Sequence, residues 1–203
     1  MNIILTLKIN ETDCLQVVSD EAISEVDLFS SIFKFYLKTQ ETSIKVHDFA
    51  VGQELYDFAT HIQNCLDNKY KVLKKSRSKI DLGLLWNEYY QQLVIQSESA
   101  KKIVNPSWNE ERLILFFNHA DENNSCITFL YNNDQGDIVL EIASEYPWFY
   151  QEEIPEISYQ AWLPKYKILY KETISKNIAM KWIEQMLALR DALNKKTLCC
   201  TKK

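Results

Sequence analysis

The sequence predicts an α+β fold, an antiparallel meander of strands packed on one face by amphipathic helices. Three observations carry this. Apolar residues alternate at period two in several short stretches parted by polar turns. The period changes to that of a helix near 52–66 and again after Ser175. Strands and helices also come in runs, strands then helix, and never alternate strictly, which argues against a parallel sheet of βαβ units. The order repeats coarsely along the chain, so a distant duplication of "strands then helix" stays open.

Taking the elements in order, Ile3, Leu5, Leu7 and Ile9 alternate and predict a strand over 2–9 with one buried face. A polar turn at 10–13 leads to a partner strand over 14–18. Aromatic and β-branched residues over 31–38 suit a pleated surface, and 44–47 is a further short strand. Leu55, Phe58, Ala59, Ile62, Cys65 and Leu66 lie at helical spacing and define a helix over 52–66 that Asp67 and Asn68 end. Residues 69–79 are basic and predict an exposed strand edge or loop. Residues 82–104 carry both a helical and a strand signal, and helix is the preferred reading. Three strands follow, at 112–118, 126–131 and 137–143, joined by polar turns. A long irregular connection over 144–165 precedes a strand marked by Tyr166, Ile168 and Tyr170. Ser175 caps a final helix whose apolar side holds Trp182, Ile183, Met186, Leu187, Leu189 and Leu193. The expected organisation is a single domain over 1–197, with 198–203 a frayed, disordered tail.

Composition limits the function classes. Hydrophobic residues make up 46% and charged residues 25% of 203, which places the chain among globular domains able to build a core without staples. No apolar run approaches the roughly 20 residues that span a bilayer. The first nine residues read as a strand and not as a secretion leader, so the expected compartment is the cytoplasm. The five cysteines fit it: Cys14, Cys65 and Cys126 fall in patterned segments, Cys199 and Cys200 are adjacent, and an odd, irregular set is no disulfide framework.

The three glycines, Gly52, Gly83 and Gly136, are isolated, so neither a P-loop nor a dinucleotide fingerprint can be written. No Gly-x-Ser-x-Gly elbow is present. His61 and Cys65 stand four apart on a helix, but Cys65 lies on the apolar stripe. The pair reads as a core cysteine beside a surface histidine, not a metal site. His47-Asp48 lacks the further ligands a metal phosphohydrolase needs, and His119 sits in a turn. Asp134 to Asp137 lacks the ligand spacing of a calcium loop and reads as a hairpin turn in which Gly136 supplies positive φ. A nuclease would need a lysine that Glu141-Ile142-Ala143 does not supply. No catalytic, cofactor-binding or metal-ligating residue is singled out, and no cofactor is implied. The basic run 69–79 holds a single aromatic, Tyr70, and reads as a solvated face, so nucleic acid is not a favoured partner.

Charge is polarised along the chain. Between Leu113 and Pro164 there is no Lys or Arg, against nine acids. The connection after Ser144 adds large aromatics to those acids: Glu145, Tyr146, Trp148, Tyr150, Glu152, Glu153 and Glu156. Trp and Tyr anchor interfaces, and carboxylates around them steer a basic partner. These seven residues are the candidate partner-binding surface. The other reading folds the aromatics back over the sheet as a lid and leaves the acids in water. An enzyme using Glu141 or Asp137 with His119, or a module that self-associates through the aromatic segment, stays open.

Leu55-Tyr56-Asp57-Phe58-Ala59 in the first helix, Gly136-Asp137-Ile138-Val139-Leu140-Glu141-Ile142 at the hairpin, and Trp182-Ile183-Glu184-Gln185-Met186-Leu187 in the closing helix carry a resemblance. In this order they resemble the immunity proteins that neutralise bacterial polymorphic and contact-dependent toxins. The resemblance implies a non-enzymatic inhibitor that binds its toxin with acidic residues.

Overall fold

In a computed structural model the described residues are 1–21, 31–72, 81–98, 111–118, 125–147 and 157–200. They form two antiparallel four-stranded sheets and four helices, which is the α+β class that the periodicities predict. The chain gathers into two compact units, Met1–Lys69 with Thr173–Lys203, and Tyr70–Glu172.

The sheet of the first unit has the order β1 (Asn2–Lys8), β2 (Cys14–Ser19), β3 (Ile32–Lys38), β4 (Ser43–Ala50). The β1–β2 turn is held by Asn10, whose Oδ1 accepts from the backbone N–H of Thr12 and Asp13 at 2.9 and 2.8 Å. Register sorts the side chains. Leu7, Leu15 and Leu37 face one another on one side, as do Val17 and Phe35, and all are fully buried. Helices α1 (Val51–Leu66) and α4 (Lys176–Cys200) pack together over this side. Phe58 of α1 bridges the layers, 5.6 Å edge-on from the Phe35 ring and 6.2 Å from that of Trp182. The Trp182 indole N–H donates to the Lys8 carbonyl at 2.7 Å, so burying the ring leaves no orphan donor.

Both helix ends follow their local chemistry. At the end of α1, Asn68 takes φ 59°, and the N–H groups of Lys69 and Asn68 return to the carbonyls of Asn64 and Cys65, a Schellman closure. Ser175 Oγ accepts from the N–H of Ile178 at the start of α4. Nothing between 176 and 200 breaks a helix, neither Gly nor Pro, and α4 runs through Cys200.

The sheet of the second unit has the order β5 (Ile114–Asn118), β6 (Cys126–Asn132), β7 (Ile138–Ser144), β8 (Ile168–Ile174). Residues 112–113 are not strand: Glu111–Leu113 is a 3₁₀ turn that buries Leu113 while the Arg112 guanidinium donates to the Lys71 carbonyl at 3.0 Å. The β6–β7 hairpin turns at Gly136 with φ 87°. Residues 82–98 are helix, α2 (Leu82–Glu98), with the Asp81 carboxylate accepting from the Leu84 N–H as its cap. Leu82 and Trp86 pack on Ile127, Phe129, Tyr131, Val139 and Ala143. The connection after β7 is not wholly irregular. It holds α3 (Tyr159–Trp162), capped by Ser158, and a 3₁₀ turn, Leu163–Lys165.

Candidate functional site

Of the seven residues proposed as a partner surface, Glu145 and Tyr146 lie within the described residues; Trp148, Tyr150, Glu152, Glu153 and Glu156 lie outside them. Glu145 and Tyr146 are interior groups. Glu145 is 2% exposed, and its Oε1 accepts from the Trp86 indole N–H at 2.8 Å. Tyr146 is 7% exposed, and its N–H donates to Asn87 Oδ1 at 2.8 Å. Asn87 in turn donates to the carbonyls of Gly83 and Ser144, so one amide of α2 ties down the end of β7. The β7 strand ends at Ser144, and the next two residues stay pinned to α2.

Tyr146 does more than pack. Its hydroxyl donates to the Ile157 carbonyl at 2.6 Å. Its ring stands edge-on to Tyr159 and Trp162, with centroids 5.5 and 5.6 Å away. Tyr159 and Trp162 are stacked, and burial pushes the Tyr159 phenol up to about 12. These three aromatics therefore find cover within their own unit. They also tie residue 146 to residue 157.

A second cluster lies on the same unit. Glu141 is fully buried in β7. Its Oε2 accepts from the Tyr131 hydroxyl at 2.9 Å and meets Lys171 Nζ of β8 at 2.5 Å. Its Oε1 has no hydrogen-bond partner among the described residues. The Tyr166 hydroxyl donates to Asp81 Oδ1. Burial, and then Glu141, hold the Tyr131 phenol far above its usual range; burial and the Asp81 hydrogen bond do so for Tyr166. Sequence reading missed Lys171, Tyr131, Asp81 and Trp86 here. A signal was present: Glu141 shares a strand face with Val139 and Ala143, so the alternation itself turns its carboxylate inward.

The other candidates stand apart. Asp137 is on the exposed hairpin, bonded to Asn133, and Glu141 is interior, while His119 lies outside the described residues. His47 pairs across the ladder with Phe35 on the helix-covered side, whereas Asp48 faces the other way to Lys45 at 2.9 Å. His61 is not a surface histidine. It is 9% exposed on the same side of α1 as Cys65, whose thiol burial pushes up to about 12. Among the described residues no three His, Cys, Asp or Glu side chains converge, and no helix is long and apolar enough to cross a membrane. No protein family, curated protein or solved structure matches this chain.

Proposed function

We propose that this chain is a non-enzymatic protein-binding domain that recognises a basic partner, in the manner of an immunity-type inhibitor masking a cationic groove. The observation that supports it is the clamp between the Tyr146 hydroxyl and the Ile157 carbonyl. It closes a segment that holds Trp148, Tyr150, Glu152, Glu153 and Glu156 and no Lys or Arg. Binding residues are concentrated on loops that a rigid frame positions, and ends fixed in advance lower the entropy lost on binding. Trp148 and Tyr150 supply anchoring area, and the three glutamates supply long-range attraction. Glu145 belongs to the frame and not to the contact.

Affinity capture with the full chain from lysate of the source organism is expected to recover one stoichiometric basic protein. Trp148→Ala or high salt abolishes the capture. With that partner purified, replacing Glu152, Glu153 and Glu156 together by Gln slows association about tenfold at low salt. Glu145→Gln lowers stability and leaves the association rate unchanged. Association unaffected by the triple substitution would overturn the assignment of this segment. A concentration-dependent dimer dispersed by Trp148→Ala would replace the partner with a second copy of the chain.

A further inference from the structure

The side of the first sheet turned away from α1 and α4 has a composition of its own. Register aligns Thr6, Gln16, Tyr36 and Lys45 in one row across the four strands. The row on one side is Lys8, Cys14, Lys38 and Ser43; on the other it is Ile3, Val18, Lys34 and Asp48. Tyr36 is thus a half-buried aromatic on a central strand, with a lysine two residues away in either direction, about 7 Å along the strand.

The charges do not cancel. Lys34 pairs with Asp20 at 2.6 Å and Lys45 with Asp48 at 2.9 Å. A bulge in β4, between the partners of Phe35 and Tyr36, brings Lys45 and Asp48 to the same side. Lys8 and Lys38 have no carboxylate partner among the described residues: Lys38 Nζ donates to Ser43 Oγ at 2.6 Å and stands 5.2 Å over the Tyr36 ring. Four lysines against Asp20, Asp48 and Asp13, the last beside Cys14 of the outer row, leave a surplus of one positive charge on a chain whose net charge is −5.

We propose that this sheet face binds single-stranded nucleic acid, with Tyr36 as the stacking platform and Lys8, Lys34, Lys38 and Lys45 as phosphate contacts. An aromatic on the face of an antiparallel sheet that no helix covers can stack an unpaired base whatever its identity, and flanking lysines follow the backbone. Gln16 and Thr6, in the same row, offer an amide and a hydroxyl to base edges or sugar. A run of Asp and Glu would pair with the lysines but brings no planar group to the ring between them, whereas a nucleotide brings both, which is why nucleic acid is the occupant chosen. This surface is in the first unit, and the proposed protein-binding segment is in the second, so the two proposals can fail separately.

The test is fluorescence anisotropy of a labelled short oligouridine with the full chain, titrated at several salt concentrations from about 25 to about 150 mM. Binding is expected at low salt, weakening with a log–log slope of about −0.7 for each phosphate contact. Tyr36→Leu weakens binding about tenfold and leaves the slope unchanged, because stacking is lost and charge is not. The double substitution Lys8→Gln and Lys38→Gln makes the slope shallower by about 1.4. The triple Gln substitution at 152, 153 and 156 leaves oligouridine binding intact. No binding at the lowest salt overturns the proposal. So does full affinity in Tyr36→Leu, which would reduce the face to a general anion surface. Equal affinity for a polyglutamate peptide, sensitive to the same lysines, would assign it to an acidic protein instead.

Discussion

Glu141 sits between Leu140 and Ile142 with its side chain on the α2 side of β7, and Lys171 reaches it from β8. The carboxylate is fully buried, whereas the lysine side chain is 46% exposed. Its ammonium meets a charge that has left water behind, and a buried charge stripped of its partner is costly. Lys171→Met is expected to destabilise the fold by roughly 2–3 kcal/mol, read as a lower urea midpoint. Adding Glu141→Gln recovers much of that loss, since the neutral amide needs no counter-charge. An unchanged midpoint in the single variant would show that water reaches the carboxylate. Glu145 makes the same point about legibility. Its charge and its aromatic neighbours mark it as surface, yet the indole of Trp86, 59 residues away, takes its oxygen. No local pattern announces a partner at that separation.

At the scale of elements, α2 was the least legible segment, because Leu93-Val94-Ile95 reads equally as strand. Its identity is decided at its start, by the Asp81 cap and by Gly83. A Cβ on Gly83 would stand 2.3 Å from the Ala143 Cβ and 2.7 Å from the Tyr166 hydroxyl. The missing side chain is therefore what lets the helix lie this close to β7. Gly83→Ala is expected to cost about 2 kcal/mol despite the better helix propensity of alanine, measured as a lower melting temperature. Ala143→Gly in the same chain restores part of it by opening the nearer contact. A Gly83→Ala variant as stable as the parent would mean that the helix can shift outward freely. The strands were more legible. Alternation places β1, pleat-suited residues place β3, and bounding polar turns place β2, β6 and β7, each within a residue or two, because all three signals are local. Residues 112–113 escaped it, since burying Leu113 needs a turn and not an extended chain.

For the whole molecule, several buried protons tie stability to pH. The Cys65 thiol rises from 9.0 to about 12 and the Tyr159 phenol from 10.0 to about 12, and Tyr131 and Tyr166 shift the same way. In each case the unfolded chain releases its proton first. The stabilisation is present in full below the unfolded values and is lost as pH climbs through about 9 toward 12. The urea midpoint is expected to hold between about pH 7 and 8.5 and to fall steeply above that. Cys65→Ala makes the fall shallower, and a midpoint flat to about pH 11 would contradict the burial of these groups. The same burial keeps Cys65 unreactive toward alkylating reagents near pH 8, while half-exposed Cys14 reacts. What the sequence by itself determined was the α+β class, the antiparallel strands and most element ends, because periodicity, caps and turns are local. The tertiary structure decided which strands share a sheet and that the described strands form two sheets of four. It also decided that Glu145 and Tyr146 are frame, that Lys34, Lys38 and Lys45 neighbour Tyr36, and that Lys8 lies on the same face two strands away. Those facts depend on contacts between residues far apart in the chain, which register and packing create and a single sequence does not display.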